Sequence, residues 1–356
     1  MTENRQNTDS ELEQGSNVDE QSAPRPIPDG GDSLNPSDPE GFSEGDEPPA
    51  EDPSLSAEPH LTLRERLVRG LRNDKRALVG AVVVVVFVCS AVFAPQVAPY
   101  EPEDTFTSFQ EPLTSSQFDV DADGELESPT HVLGTDSFGH DILSRIVYGS
   151  RVSLIVAFAT VAFAFTVGTT IGLVAGYYGG WVDSALMRYV DFQWAFPELI
   201  LAVGLIAVTG GTGLWNVVIA IGIAFIDDFA RIIRGEVVSI REEEYVMAAR
   251  AIGMKKRRIM FREILPNAIA PLIVQATIMI PIAILAEAAL SFLGLGVSPT
   301  DPTWGILISN GRDFINRAWW ISVMPGLAIM VTVLAFNVLG DGLRDIFDVT
   351  SSEVER

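Results

Sequence analysis

A chain of 356 residues with 47% apolar side chains and a formal charge of −23 is too apolar for an acidic soluble domain and too acidic for a uniform membrane protein, so its composition averages two regimes. Charge of that sign is repelled by phosphate backbones, which excludes a nucleic-acid role. The single cysteine, Cys89, lies in an apolar run and excludes an intramolecular disulfide.

Residues 1–60 carry sixteen Asp or Glu and two Arg, with much Pro, Ser and Gly. They cannot bury enough apolar surface to offset the entropy of ordering, so a disordered, solvating acidic tail is expected. Acidity beyond the tail points to an organism living in high salt (a halophile), where self-repulsion is screened. Residues 61–76 then hold Arg64, Arg66, Arg69, Arg72, Lys75 and Arg76. The uncharged run Ala77–Ala94 is long enough to cross ~30 Å of hydrocarbon and is expected as an anchor, not a cleaved signal.

Further apolar runs at Ser153–Tyr178, Trp194–Gly210, Leu214–Ile233, Ala268–Val297 and Ile321–Leu339 bring the expected number of transmembrane helices to about six. The third and fourth are separated by the turn Gly210-Gly211-Thr212-Gly213. The fold class is thus all-α and polytopic: a transmembrane domain over 61–348 and a short C-terminal tail over 349–356. Gly168, Gly172 and Gly176 recur every four residues and give the second span one smooth face for a neighbouring backbone.

Basic residues fall in alternate loops. Residues 95–140 have ten acidic side chains and no Lys or Arg, whereas the loop after the fourth span has Lys255, Lys256, Arg257, Arg258 and Arg262. By the positive-inside rule both termini are predicted to be cytoplasmic. In the acidic external loop, Asp119, Asp121, Asp123 and Gly124 copy the opening half of a calcium loop. Thr130 stands where the bidentate glutamate would be, and the alternative is a plain acidic loop. His131 and His140 have no second ligand pair at metal spacing.

The loop over 241–266 is the most informative segment. On a helix, Tyr245, Ala248, Ala249 and Ile252 stand at i, i+3, i+4 and i+7, a small apolar face that lets a partner approach. Gly253 permits a break before a second, basic helix, and Pro266 is expected to limit that helix before the fifth span. The alternative is an interfacial helix lying on lipid headgroups through its Lys/Arg cluster.

Here the chain resembles the permease subunits of ATP-binding-cassette importers, whose cytoplasmic signature is E-A-A, three residues, Gly, nine residues, I-x-L-P. Met247-Ala248-Ala249, Gly253 and Glu263-Ile264-Leu265-Pro266 occupy those positions, with Met247 in place of the glutamate and Glu263 in place of the first isoleucine. Three further stretches are similar to the C-type subunit of the dipeptide/oligopeptide/nickel branch. These are Leu133-Gly134-Thr135-Asp136 with Gly139-His140-Asp141, where the family usually has arginine at His140; the run from Glu287 to Gly296; and Gly340 to Asp345.

The resemblance implies a type I importer fold and alternating access. Its partners would be a homologous second permease, two ATPases that bind ATP-Mg, an external solute-binding protein and membrane lipid. Tyr245, Ala248, Ala249, Ile252 and Gly253 would carry the ATPase contact, with Leu265 and Pro266 fixing the loop to the span. The cargo would be dipeptides, oligopeptides or a related solute. The chain has no G-x-x-x-x-G-K-[ST] phosphate loop and no hydrolase motif, so it is not expected to be an enzyme. The competing reading is an ion-coupled secondary transporter or channel in which Asp227, Asp228 and Glu287 relay cations. Asp227 with Arg231 at i+4 is the expected ion pair of that region, and Glu287 is expected in a helix–helix hydrogen bond.

Overall fold

The computed structural model describes residues 74–115, 130–209, 211–297 and 301–354, without the side chains of 347–354. The expected tail over 1–60, the basic segment before residue 74 and the calcium candidates Asp119, Asp121 and Asp123 lie outside the described residues. Among the described residues no group of three or more His, Cys, Asp or Glu could hold a metal ion.

The first helix, α1 (Lys75–Val92), is capped by Asp74, whose carboxylate accepts from the Arg76 N–H at 2.8 Å. A short turn α2 (Ala94–Val97) follows, then an extended segment with two-residue antiparallel strands, β1 (Thr114–Ser115) and β2 (Thr130–His131). The second span is much longer than its apolar run: α3 covers Ile142–Tyr178. The charged residues of its first turns lie outside the apolar run Ser153–Tyr178, yet each has a use. Arg145 meets Asp136 at 2.9 Å, and Arg151 donates to the Ala91 and Val92 carbonyls at 3.0 Å, serving the otherwise unpaired end of α1.

The expected third span, 194–210, does not exist as one helix. α4 (Gly180–Trp194) and α5 (Glu198–Thr209) meet at 94° around Pro197. Proline cannot donate an N–H and drives the residue before it out of helical geometry, so the chain turns there, and the Pro197 carbonyl accepts the first bond of α5 from Leu201 at 3.0 Å. The expected fourth span is also divided, at Phe225, into α6 (Leu214–Ala224) and α7 (Ile226–Ile240). Among the described residues, four helices are long and apolar enough to cross a membrane, or five counting the bent pair.

α7 lies along α3 on the smooth glycine face. A Cβ added at Gly168 would stand 2.6 Å from the Ile226 carbonyl oxygen, and one at Gly176 would stand 2.9 Å from the Val237 Cβ; at Gly172 it would collide with the Ala230 carbonyl. Arg234 of α7 then clamps α4 through a two-pronged pair with Asp183, both bonds 2.6 Å. The loop over 244–264 precedes α10 (Leu265–Phe292), which is followed by α11 (Trp304–Gly311) and α12 (Trp320–Val354). α12 packs on α1 and continues as helix into the stretch expected as a C-terminal tail.

Candidate functional site

The segment between α7 and α10 folds in three steps. α8 (Glu244–Ala251) ends in a glycine stop: the Gly253 N–H donates to the Arg250 carbonyl at 3.0 Å and the Met254 N–H to the Ala249 carbonyl at 3.1 Å, with Gly253 at φ +78°. Those two bonds satisfy the carbonyls a helix end leaves open, and the left-handed backbone favours glycine there. After the turn come α9 (Lys256–Arg258) and a π-helical turn over Ile259–Ile264, in which the Leu265 N–H reaches back five residues to the Met260 carbonyl.

Pro266 therefore does not end the basic helix, as the sequence predicts; it stands in the first turn of α10, and the chain from Lys256 to Phe292 is one helical run. A proline ring crowds the carbonyl four residues earlier, here Arg262, and the wider π turn relieves that crowding.

α8 presents two faces. Val246 is fully buried and Ala249 is 7% exposed, both in one apolar cluster with Ile259, Met260 and Ile264 of the π turn. Tyr245, Met247, Ala248 and Ile252 point outward, Ile252 with 78% of its surface open. This corrects the expected face: Ala249 belongs to the inner side and is spent on the chain's own packing, because the helical arc from 245 to 252 is wide enough to straddle both sides. Leu265 is half-buried against the same cluster and Pro266 is exposed.

Two connections tie α8 to the spans. The Asn267 Nδ2 donates to the Tyr245 hydroxyl at 3.2 Å and to the Glu263 carbonyl at 2.6 Å, linking α8 to the start of α10. Burial raises the Tyr245 hydroxyl above its usual pKa, so it stays neutral as an acceptor. On the other side, the Arg250 guanidinium sits 5.3 Å over the Tyr177 ring and the Lys256 ammonium 5.2 Å over the Tyr178 ring, while the Arg241 Nη1 donates to the Gly176 carbonyl at 2.9 Å. The segment thus grips the ends of α3 and α10 at once.

The expected motif residues of the 131–141 stretch form a latch. Asp136 accepts from the Phe138 and His140 N–H groups at 2.8 and 2.9 Å and from Arg145 at 2.9 Å. Asp141 caps α3 through the Ser144 N–H at 2.8 Å and accepts from the His131 Nδ1 at 2.9 Å. The Thr135 hydroxyl donates to the Thr107 carbonyl at 2.6 Å, its own carbonyl accepts from the Trp320 Nε1 at 3.1 Å, and Leu133 packs on the core. Gly134 and Gly139 have φ +80° and +88°, and neither has room for a side chain. At the position where arginine is usual, His140 holds its Nδ1 3.0 Å from Asp136 and 2.8 Å from the Arg145 Nη1. Arg145 supplies the guanidinium that pairs with Asp136.

Two acids of the competing relay are engaged in hydrogen bonds between helices. Glu287, fully buried, accepts from Ser153 of α3 at 3.1 Å and from Ser291 at 2.6 Å. Asp227 accepts from the Gln193 Nε2 at 3.1 Å. Arg231 does not pair with Asp227 as spacing predicts: it reaches Asp191 of α4 at 3.1 Å and covers Trp194. The bend at Pro197 is what brings α4 within its reach, and helical spacing alone carries no information about that.

The chain is similar to known proteins along most of its length. Residues 168–350 match the family described as binding-protein-dependent transport system inner membrane component, and residues 62–114 match the N-terminal TM domain of oligopeptide transport permease C. The chain is 44% identical to the dipeptide transport system permease protein DppC of Alkalihalophilus pseudofirmus, covering 86% of this chain and 94% of the relative. It is 41% identical to the di/tripeptide transport system permease protein DppC of Pseudomonas aeruginosa, covering 84% and 95%. It is 39% identical to the glutathione transport system permease protein GsiD of Pectobacterium atrosepticum, covering 76% and 86%. A solved inward-facing structure of the MetNI methionine ABC transporter aligns with a TM-score of 0.48 at 19% identity, over 58% of this chain and 97% of that one. With its long apolar helices, its glycine-stopped loop and its match to the family models and to these relatives, the chain belongs to the family of inner membrane components of binding-protein-dependent transport systems.

Proposed function

We propose that this multi-pass permease forms half of the path by which an ATP-driven importer of the type I kind carries peptides, dipeptides among them, across the cytoplasmic membrane. A second homologous permease supplies the other half, two ATPases bind ATP-Mg, and an external solute-binding protein delivers the cargo. The termini and α8 face the cytoplasm. The observation that carries this reading is the two-faced α8: Val246 and Ala249 are locked into the chain, while Tyr245, Met247, Ala248 and Ile252 are uncovered. A short helix with one face fixed to two spans and the other open is suited to pass a push from a docked subunit into the membrane, where interfaces with two arrangements amplify it. The peptide cargo is supported by the printed functions of the relatives.

The test is a cross-link. Ile252→Cys in a Cys89→Ser background should join an ATPase subunit through a short bifunctional maleimide, with a yield that changes when ATP is added. Labelling of that cysteine by a membrane-impermeant reagent applied to intact cells would place α8 outside and end the proposal.

A further inference from the structure

A cavity of about 300 Å³ lies where α5, α6 and α10 meet, with Leu199, Ile221, Phe225, Leu285 and Ala289 in its walls. Among its described lining residues Glu198, the first residue of α5, is the only polar one. The bend at Pro197 sets that carboxylate beside the break at Phe225, where α7 opens with Asp227 and Asp228. The three acids are near enough to repel one another.

Their neighbours do not balance them. Arg231 is engaged by Asp191 and Trp194, and the Gln193 amide nitrogen serves Asp227. Among the described residues the Glu198 and Asp228 carboxylates take part in no hydrogen bond or ion pair. Gln193 itself, 5% exposed, spends its Nε2 on Asp227 and on the Ala224 carbonyl and leaves a buried Oε1 without a partner. This corner therefore holds acceptors and lacks a donor. Acids set among apolar helices are costly unless they face water or a cation, and they mark the paths by which solutes pass.

The missing donor has a definite chemistry. No three of the described acids converge as metal ligands, so a bare divalent ion is a poor occupant, and an anion is repelled. An ammonium brings three N–H donors, and the apolar walls suit a hydrocarbon group attached to it. A peptide carries both at its amino end, whereas its carboxylate end meets repulsion here. Resting on the peptide cargo argued above, we propose that this cavity receives the amino terminus of the cargo, with Glu198 holding the ammonium, Asp228 adding to the attraction, and the apolar walls holding the first side chain. Glu198 is then a specificity-determining residue that favours peptides with a free amino end.

The test uses the intact transporter, with its partner subunits and binding protein, in proteoliposomes. The probe is a leucyl-leucine dipeptide whose first side chain carries a photoreactive diazirine. Irradiation during ATP-driven uptake should place label on Leu199, Leu285 or Ala289, located by peptide mass spectrometry. Glu198→Gln should lower that yield about tenfold, as for loss of one hydrogen bond to a charged group, and Glu198→Asp should stay within about threefold of wild type because the charge remains. Should Glu198→Gln fail to assemble, the wild type decides: in detergent and without the binding protein, the free-amine probe should label these residues and its N-acetyl form should not. No label at these residues, label indifferent to acetylation, or an equal yield in Glu198→Gln overturns the proposal, and dipeptide uptake by the same wild-type vesicles then leaves the peptide reading standing. Absence of any ATP-driven dipeptide uptake by wild type removes that reading and this site together.

Discussion

Asn267 donates to the Tyr245 hydroxyl across 22 residues of sequence, and this bond links the outward-facing helix α8 to the first turn of α10. A displacement of α8 pulls on α10 through it and through the buried contact of Val246 and Ala249 with the π turn.

Removing that bond should loosen the joint without dismantling it. Tyr245→Phe should cost about 0.5–1 kcal/mol, as expected for one solvent-exposed hydrogen bond, and Asn267→Ala about 1–2 kcal/mol because it also loses the bond to the Glu263 carbonyl; both should leave insertion unchanged. The ratio of peptide taken up to ATP hydrolysed in proteoliposomes should fall in both variants, and no further in the double variant.

Gly253 separates backbone strain from crowding, because a Cβ there would meet nothing within 4 Å although φ is +78°. Gly253→Val should cost about 1–2 kcal/mol through the left-handed backbone and reduce ATP-coupled uptake. Gly253→Asn, which tolerates that conformation, should keep most of it. Uptake assays on the two variants, normalised to membrane-inserted protein, give the comparison.

Gly172 tests the opposite case. Any side chain there must push into the Ala230 backbone and the Ile233 side chain, so Gly172→Val should destabilise the α3–α7 contact by about 1–3 kcal/mol or more. Gly235→Ala, on the same helix pair but facing open space, should be neutral or mildly stabilising. Thermal unfolding in detergent, followed by size-exclusion fluorescence, distinguishes them.

Glu287 joins α10 to α3 in a fully buried setting. Glu287→Leu strands the hydroxyl of Ser153 and should cost about 1–3 kcal/mol, while Glu287→Gln, which keeps two polar atoms in place, should cost less. Cargo selectivity should be the same in both, since the side chain is engaged between helices; competition assays with several peptides measure this.

Much of the architecture was legible in sequence because it depends on local periodicity. The run Ala77–Ala94 became α1, the four-residue spacing of Gly168, Gly172 and Gly176 became the seat of α7, and Gly253 ended its helix with the bonds glycine allows. The misses share a cause. A hydropathy average passes straight over Pro197 and Phe225, so two divided segments read as whole spans. Arg145 and Arg151 lie in helical turns before the apolar run Ser153–Tyr178, because their partners, Asp136 and the end of α1, are brought by the fold. Ala249 was assigned to the wrong face for a related reason: an arc of small residues says that something packs closely, and only the position of the π turn says what. Met247, open beside Tyr245, went unremarked as a surface residue because it was read as a missing glutamate.

A π turn holds one residue more than an α-helix needs over the same rise. If the surplus between Ile259 and Ile264 were absorbed into ordinary helix, everything before it would swing by about 100° around the axis of α10, the angle of one helical step. Removing a single residue from that stretch would take away the surplus and leave α8 facing as it does, whereas a substitution that forces all six residues into ordinary helix would act as a wrong setting of a dial, with α8 intact in outline and addressing a different direction.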